Sequence, residues 1–310
     1  MRDLFCIGEM VIDFIPGIES GSYVRNAGGA PANVAIAAAR QGLSAAMCCS
    51  VGDDDFGRFL LSVLRENGVE AIRQTLCRDA VTTMAFVTLD ESGDRSFTFV
   101  RKPGADMFLC EEDVREDEIS RSVIIHAGSC SLSASPTAQA TRKALRLGCE
   151  QGKLVSFDVN YRSLMWNGDQ EACTGAVLEC LPWVDALKIS EEEAAMFGGE
   201  DAIIPLMERF SVTVTVETLG AAGARCYFAG KCFDVPGRKA VCVDATGAGD
   251  AFWGGFLSSL RFAGVEKASD LTEEKLRTAL EYGNRCGWFC VRKKGAISAL
   301  PTRRETEALS

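Results

Sequence analysis

Short apolar runs alternate with helical repeats along most of the chain. Leu4–Gly8, Ala45–Val51, Val123–His126, Leu154–Asp158, Ala186–Ile189 and Val212–Val216 read as buried strands. Between them lie helical patterns at Pro31–Gln41, Pro136–Cys149, Glu171–Leu181 and Glu191–Phe197. Phe56, Phe59, Leu60, Val63 and Leu64 fall at i, i+3, i+4, i+7 and i+8, the stripe of an amphipathic helix. Gly42 and Asn67-Gly68 close two of these helices. Repeated βα units predict an α/β fold with a mostly parallel sheet covered on both faces. Ligands of such sheets bind at the carboxyl ends of the strands.

One region breaks the rhythm. Thr82–Leu89 and Arg95–Arg101 are β-rich and joined by Glu91-Ser92-Gly93-Asp94, which predicts a hairpin. Val11–Val24 adds an extended piece beside it. These segments, about 11–26 and 80–107, read as a small lid on one α/β body spanning 1–310. No internal repeat or low-complexity linker suggests a second domain.

Composition narrows the partners. Lys and Arg number 33 against 43 Asp and Glu, a net charge of −10. That balance excludes nucleic acid and anionic membranes as expected partners, because no basic patch is available. A small phosphorylated ligand is still admissible through backbone N–H groups, a metal and one or two Arg. The 14 Cys are read as reduced thiols of a cytoplasmic protein. No signal peptide or membrane span is read, and Cys6, Cys48, Cys49, Cys226, Cys242, Cys286 and Cys290 sit in apolar runs as small core residues. There is no CxxC pair and one His, so a Cys/His zinc site is not expected.

Two glycine-rich segments carry candidate chemistry. Asp244-Ala245-Thr246-Gly247-Ala248-Gly249-Asp250 follows an expected strand at Ala240–Val243 and precedes the apolar stretch Ala251–Phe262. Glycines at such a turn let the backbone approach a ligand, and free N–H groups at a helix N-terminus make an anion site. Asp250 is placed to act on a group docked there, or simply favours the helix start for dipole reasons. Phe252 rules out G-x-G-x-x-G, and a Walker Lys-Ser/Thr pair is absent. In the second segment, Gly28-Gly29-Ala30-Pro31-Ala32-Asn33, Pro31 starts a helix and Asn33 offers a donor and an acceptor to a hydroxyl. A plain turn is the other reading.

Taken together these residues resemble the ribokinase-like (PfkB) carbohydrate kinases, and within them the fructokinase branch. Gly8-Glu9-Met10-Val11-Ile12-Asp13-Phe14 is similar to the family's opening strand, Gly28–Asn33 to its first signature and Asp244–Asp250 to its second. Lys102–Met107, Asp158-Val159-Asn160-Tyr161-Arg162 with Trp166, Lys188-Ile189-Ser190-Glu191-Glu192-Glu193, and Gly295-Ala296 before Pro301-Thr302 resemble further motifs of that branch, in order along the chain. Ala245 stands where the family usually has Thr, and Ala30 replaces the Lys of true ribokinases, which argues against ribose.

The resemblance implies a three-layer αβα sandwich with a β-sheet lid, and phosphoryl transfer from ATP to a sugar hydroxyl, which is fructose in the fructokinase branch. It implies Asp250 as general base, the Gly247, Ala248 and Gly249 N–H groups as an anion hole, and Arg162 as a charge clamp where composition alone would leave a solvated Arg. It implies Asp13, Gly28, Gly29 and Asn33 on the sugar. Arg101 could reach the sugar, while Phe97 and Phe99 cover it or pack a dimer clasp. Ser190, Thr218, Gly220, Gly223 and Asn284 (on the last helix) fall on the nucleotide side. Glu193 orients Mg²⁺ through water, although Ser190-x-x-Glu193 is also a capping box. Asp244, Thr246 and Gly295 form a monovalent cation loop for K⁺. His126 is read as a structural hydrogen-bonder rather than a catalyst. A homodimer through the lid is expected, since an edge strand needs cover. A kinase of this fold for 2-keto-3-deoxygluconate or a riboside, and a non-catalytic sugar-binding protein, are the alternatives.

Overall fold

In the computed structural model, which describes residues 1–19, 21–73, 76–89 and 95–309, the strand runs assemble into two sheets. The large sheet has nine strands. In spatial order they are Lys231–Pro236, Gly223–Phe228, Val214–Thr218, Ala186–Ser190, Leu154–Asp158, Ser122–Gly128, Arg2–Ile7, Ala45–Cys48 and Val69–Ala71. All neighbours pair in parallel except the first two strands, which form an antiparallel edge.

Side-chain alternation divides the core between the two faces. Leu4 and Cys6 pack on one face, Phe5 and Ile7 on the other, and Ile124 and Ile125 split in the same way. Helices Ala30–Arg40, Ala248–Phe262 and Glu273–Cys290 cover the first face. Helices Thr137–Glu150, Gln170–Cys180 and Glu200–Phe210 cover the second. The result is the expected helix–sheet–helix layering.

The smaller sheet is built from the segments that broke the rhythm. Its order is Tyr23–Gly28, Val11–Pro16, Met84–Leu89, Arg95–Val100. Val11–Val24, read as one extended piece, is instead the start of an antiparallel hairpin. The expected turn at Glu91–Asp94 lies outside the described residues, as does the Phe97 side chain.

Some local expectations failed for identifiable reasons. Ala240–Val243 is not a strand. The chain leaves the antiparallel edge at Pro236 and runs along the end of the helix Glu273–Cys290, where Lys239 O accepts from the Trp288 indole and Val243 N and Asp244 N donate to Val291 O. Val241 is 84% and Val243 58% exposed. Cys242 is therefore exposed rather than core, while the other six cysteines named for the core are buried. The edge hairpin Gly223–Pro236 was not predicted, although its Ala229-Gly230 turn, with φ of 51° and 72°, is the kind that closes tight hairpins. Pro205 hides the helix Glu200–Phe210 from a periodicity reading. Asn284 lies on Glu273–Cys290, and a short helix, Arg303–Glu307, follows it.

Candidate active site

The carboxyl ends of the parallel strands bring the candidate residues to one edge. Asp158, Ser190 and Thr218 are each the last residue of their strands. The helix Ala248–Phe262 starts there, capped by Gly247 in a left-handed conformation (φ 77°). A Cβ at Gly247 would stand 2.8 Å from the Ala296 Cβ, so close approach as well as φ demands glycine.

Asp250 and Asn33 meet at the centre. Asn33 Nδ2 donates to Asp250 Oδ2 at 2.8 Å across 217 residues of sequence. Both side chains are buried. Burial pushes the Asp250 carboxyl up. The Asn33 hydrogen bond pulls it back down, Asp158 pushes up, and Lys188 and Arg162 pull down. The arrangement holds a carboxylate that is more basic than an ordinary Asp, as a proton acceptor requires.

Three buried oxygens at this edge have no hydrogen-bond partner among the described residues: Glu9 Oε2, Asn33 Oδ1 and Asp158 Oδ1. Leaving a buried acceptor unpaired costs about 1–3 kcal/mol, so such atoms mark places where ligand or water donors are expected.

The sugar-side expectations converge on the same place. Asp13 lies in the lid strand Val11–Pro16 and is opposite Asn26 in the hairpin. Desolvation pushes its carboxyl up to about 6, against the pull of the Arg162 charge. Gly28 leaves room for this carboxylate, because a Cβ there would press on Asp13 Oδ2 and lie 3.1 Å from its Cγ. Gly29 has φ 110°, and its Cβ would run into the Glu9 carbonyl. Arg162 is exposed and its Nη1 donates to its neighbour's carbonyl, Tyr161 O, at 3.0 Å. Its charge nonetheless reaches both Asp13 and Asp250.

Arg101 and Phe99 are placed differently from a simple sugar contact. The Arg101 guanidinium donates to Asp106 Oδ2 (2.9 Å), Ser133 Oγ (3.0 Å) and Met165 O (3.3 Å). Asp106 also accepts from the Thr83 hydroxyl. This knot ties the lid to the α/β body. Phe99 is half-buried and packs on the second core cluster.

On the nucleotide side, Ser190 and Thr218 are register partners on adjacent strands. Thr218 Oγ1 donates to Ile189 O at 3.3 Å. Gly220 and Gly223 have φ of 54° and 108°, and Leu219 N donates to Gly223 O at 2.9 Å. Asn284 Nδ2 donates to Val235 O (3.2 Å) and Pro236 O (3.3 Å), so its amide fastens the strand beside that loop.

The capping box at Ser190 is real. Glu193 N donates to Ser190 Oγ (3.1 Å) and Ser190 N to Glu193 Oε2 (2.8 Å). Glu193 Oε1 also accepts from Tyr161 N at 2.6 Å. Each carboxylate oxygen keeps a second lone pair. Burial pushes Glu193 up, and Asp158 adds to that. Among the described residues no cluster of three or more His, Cys, Asp or Glu could hold a metal. The oxygen chemistry of Glu193 suits a water on Mg²⁺ better than direct ligation.

The glycine-rich loop 244–250 is stitched by Asp244. Its Oδ1 accepts from Thr246 N (3.0 Å) and Thr246 Oγ1 (2.6 Å), and its Oδ2 from Gly295 N (3.0 Å). Ala248 N–H, expected in an anion hole, donates to Ala245 O at 3.1 Å. His126 Nδ1 meets Ser156 Oγ at 3.0 Å, which also takes the Trp253 indole N–H at 2.9 Å. Desolvation drops His126 to about 4, so it is a neutral core residue.

Sequence reasoning missed the ion pair between Lys188 and Asp158 (2.8 Å), although both residues lay in quoted motifs. Only the parallel register sets them opposite each other.

Residues 1–303 match the family model of the pfkB family carbohydrate kinases. The chain belongs to that family. It is 40% identical over 309 residues to fructokinase-1 of Oryza sativa subsp. japonica, covering 96% of this chain and 94% of the relative. A crystal structure of Xylella fastidiosa fructokinase with bound ATP superposes with a TM-score of 0.90 at 30% identity, covering 99% and 97% of the two chains. A Vibrio cholerae fructokinase bound to fructose, ADP and calcium gives 0.87 at 34%, covering 99% and 98%. In this pfkB kinase, as in those neighbours, a large mostly parallel sheet is joined by a smaller one.

Proposed function

We infer that this pfkB kinase is an ATP-dependent fructokinase, transferring the terminal phosphoryl group of ATP to the 6-hydroxyl of D-fructose. The observation that carries this is the Asn33–Asp250 pair at the mouth of the Gly247–Gly249 loop, in a chain 40% identical to a named fructokinase.

Asp250 accepts the hydroxyl proton as the oxygen attacks. The transition state is loose, so positioning and charge support do most of the work. Gly247 and Gly249 N–H groups face the transferred phosphoryl at the helix N-terminus. Arg162 moves from its exposed position to clamp that charge. Asp13, Asn33 and the bare backbone of Gly28 and Gly29 hold sugar hydroxyls. Asn33 Oδ1 is the open acceptor for one of them. Ser190, Thr218, Gly220, Gly223 and Asn284 frame the nucleotide. Glu193 would hold a water of Mg²⁺, which would supply charge neutralisation for the nucleotide. Asp244, Thr246 and Gly295 would hold K⁺, which would add positive charge beside the loop.

The lid sheet closes over the sugar and excludes water, the competing phosphoryl acceptor. Arg101 serves as its anchor, and Phe99 packs the lid strand against the second core cluster. The whole chain then works as one α/β domain with a lid. The outer lid strand Tyr23–Gly28 carries exposed Tyr23 and Val24, which favours a homodimer through the lid. Fourteen free thiols fit a reducing cytoplasm. No helix among the described residues is long and apolar enough to cross a membrane.

A coupled ADP-release assay over fructose, other hexoses, 2-keto-3-deoxygluconate and ribosides tests the reading. Fructose is expected to turn over fastest, and faster turnover of a keto-acid or riboside overturns it. Asp250→Asn should bind fructose in calorimetry and lose at least about 10³-fold in kcat. A wild type that binds both ligands without turnover makes the chain a binding protein.

A further inference from the structure

Lys188 is buried in the centre of the sheet with its ammonium on Asp158 at 2.8 Å. Its place follows from register: in the parallel pairing of Ala186–Ser190 with Leu154–Asp158, Lys188 stands opposite Asp158. A fully buried ion pair is a poor source of stability, since desolvation consumes most of the attraction. Its retention at this point calls for another reason.

The pair is oriented. A Cβ built on Gly249 would stand 3.4 Å from Lys188 Nζ and 3.8 Å from its Cε, with no atom of Asp158 within 4 Å. The lysine head is therefore the member of the pair nearer to Gly249, while the Asp158 charge still reaches Asp250. Gly249 lies in the first turn of the helix Ala248–Phe262, so the lysine head stands within van der Waals reach of the turn that opens this helix. The groups facing Lys188 are Asp158 on the neighbouring strand, Glu193 on the following helix and Asp250 on the helix that the loop starts. His126, from the strand beyond Asp158, is neutral. Arg162 is the other cation whose charge reaches Asp250.

We propose that Lys188 is a positioning residue of the phosphoryl site. Held by Asp158, its ammonium lies behind Gly249 as a fixed positive charge that supports the anion hole through the backbone, without touching substrate. A fixed charge in a dry site needs no reorganisation as negative charge gathers on the transferred group. Asp158 is the clamp that keeps the lysine head aimed at the loop.

This inference rests on the kinase reading, so wild-type turnover of fructose is the control. A wild type inactive on every sugar overturns that reading, not this one specifically. With an active wild type, Lys188→Met should lower kcat by about 10- to 100-fold and leave KM for fructose and ATP within about twofold, because the charge acts only as the transition state forms. Its acid limb in kcat/KM should move to higher pH, since Asp250 loses a favourable cation. Lys188→Met/Asp158→Asn leaves no lone buried charge and decides the matter where the single variant does not fold. It should return the acid limb towards wild type and keep the low kcat. A folded single or double variant with kcat within about threefold of wild type overturns the proposal. So does a kcat loss matched by equal loss of ligand binding, which would mark a purely structural lysine.

Discussion

Asn33→Ala isolates the central pair of the site. The substitution deletes a 2.8 Å hydrogen bond to a buried carboxylate and leaves Asp250 without its amide donor. A hydrogen bond to a charged group contributes about 1.5–3 kcal/mol net. All of that support goes to the ionised form, because the Asn33 amide donates and only the carboxylate accepts well. At 1.36 kcal/mol per pKa unit, its loss raises Asp250 by about one to two units beyond the value to which burial already lifts it. The base must be ionised to take the hydroxyl proton, so activity rises with pH through the Asp250 pKa. A higher pKa moves that limb towards alkaline pH. The variant should therefore show its acid limb in kcat/KM displaced upwards by about one unit or more, with a loss of about tenfold per unit at pH values below it. A coupled ADP-release assay with fructose between pH 5 and 9 reads this directly. Asn33 also offers its Oδ1 to the sugar, so fructose KM should rise as well. An acid limb that stays at the wild-type position would refute the claim that Asn33 tunes Asp250, whatever happens to KM.

Other residues give independent tests. Gly28→Ala places a methyl against the end of the Asp13 side chain, which can swing aside; folding should survive by circular dichroism while fructose KM rises at least about tenfold, and an unchanged KM would remove Asp13 from the sugar site. Arg101→Met breaks a pair whose side chains are 11% and 1% exposed, leaving Asp106 buried and uncompensated; denaturant melts should lose about 3 kcal/mol, and no loss would mean that the knot does not anchor the lid. Glu9 is buried with a carboxyl pushed up by desolvation to about 7 from 4.5. Its folded state therefore keeps a proton that the unfolded chain releases, and stability is lost as pH rises from about 4.5 to 7, by on the order of 3 kcal/mol in full. Glu9→Gln should flatten that decline in melts at pH 5 to 8, and an identical pH slope would contradict it.

Several readings held because their causes are local. The helix starts after Gly29 and Gly247, and the hydrogen-bonded box at Ser190 and Glu193, depend on residues a few positions apart. Turn chemistry and caps act over that range, so glycine spacing and Ser-x-x-Glu were enough to place them. Alternating βα units likewise dictate the parallel sheet. Ala240–Val243 failed for the opposite reason: its composition suits a strand, but its end is bonded to Val291 beyond a helix rather than to another strand. Arg101, a free cation in the sequence, is spent on three acceptors from three different segments.

By itself, then, the sequence determined the elements, the two glycine loops and the family signatures, because each is written in contiguous residues. Tertiary structure alone decided which distant groups share one hydrogen bond or one ion pair. Asn33 meets Asp250 only because the helices Ala30–Arg40 and Ala248–Phe262 pack side by side on one sheet face. Lys188 meets Asp158 only because two parallel strands settle in one register, and a slip of one residue between them would leave the two side chains on opposite faces. Buried charge has an energy only once its surroundings are in place, so the basicity of Asp250 and the direction of the Lys188 ammonium belong to the folded chain.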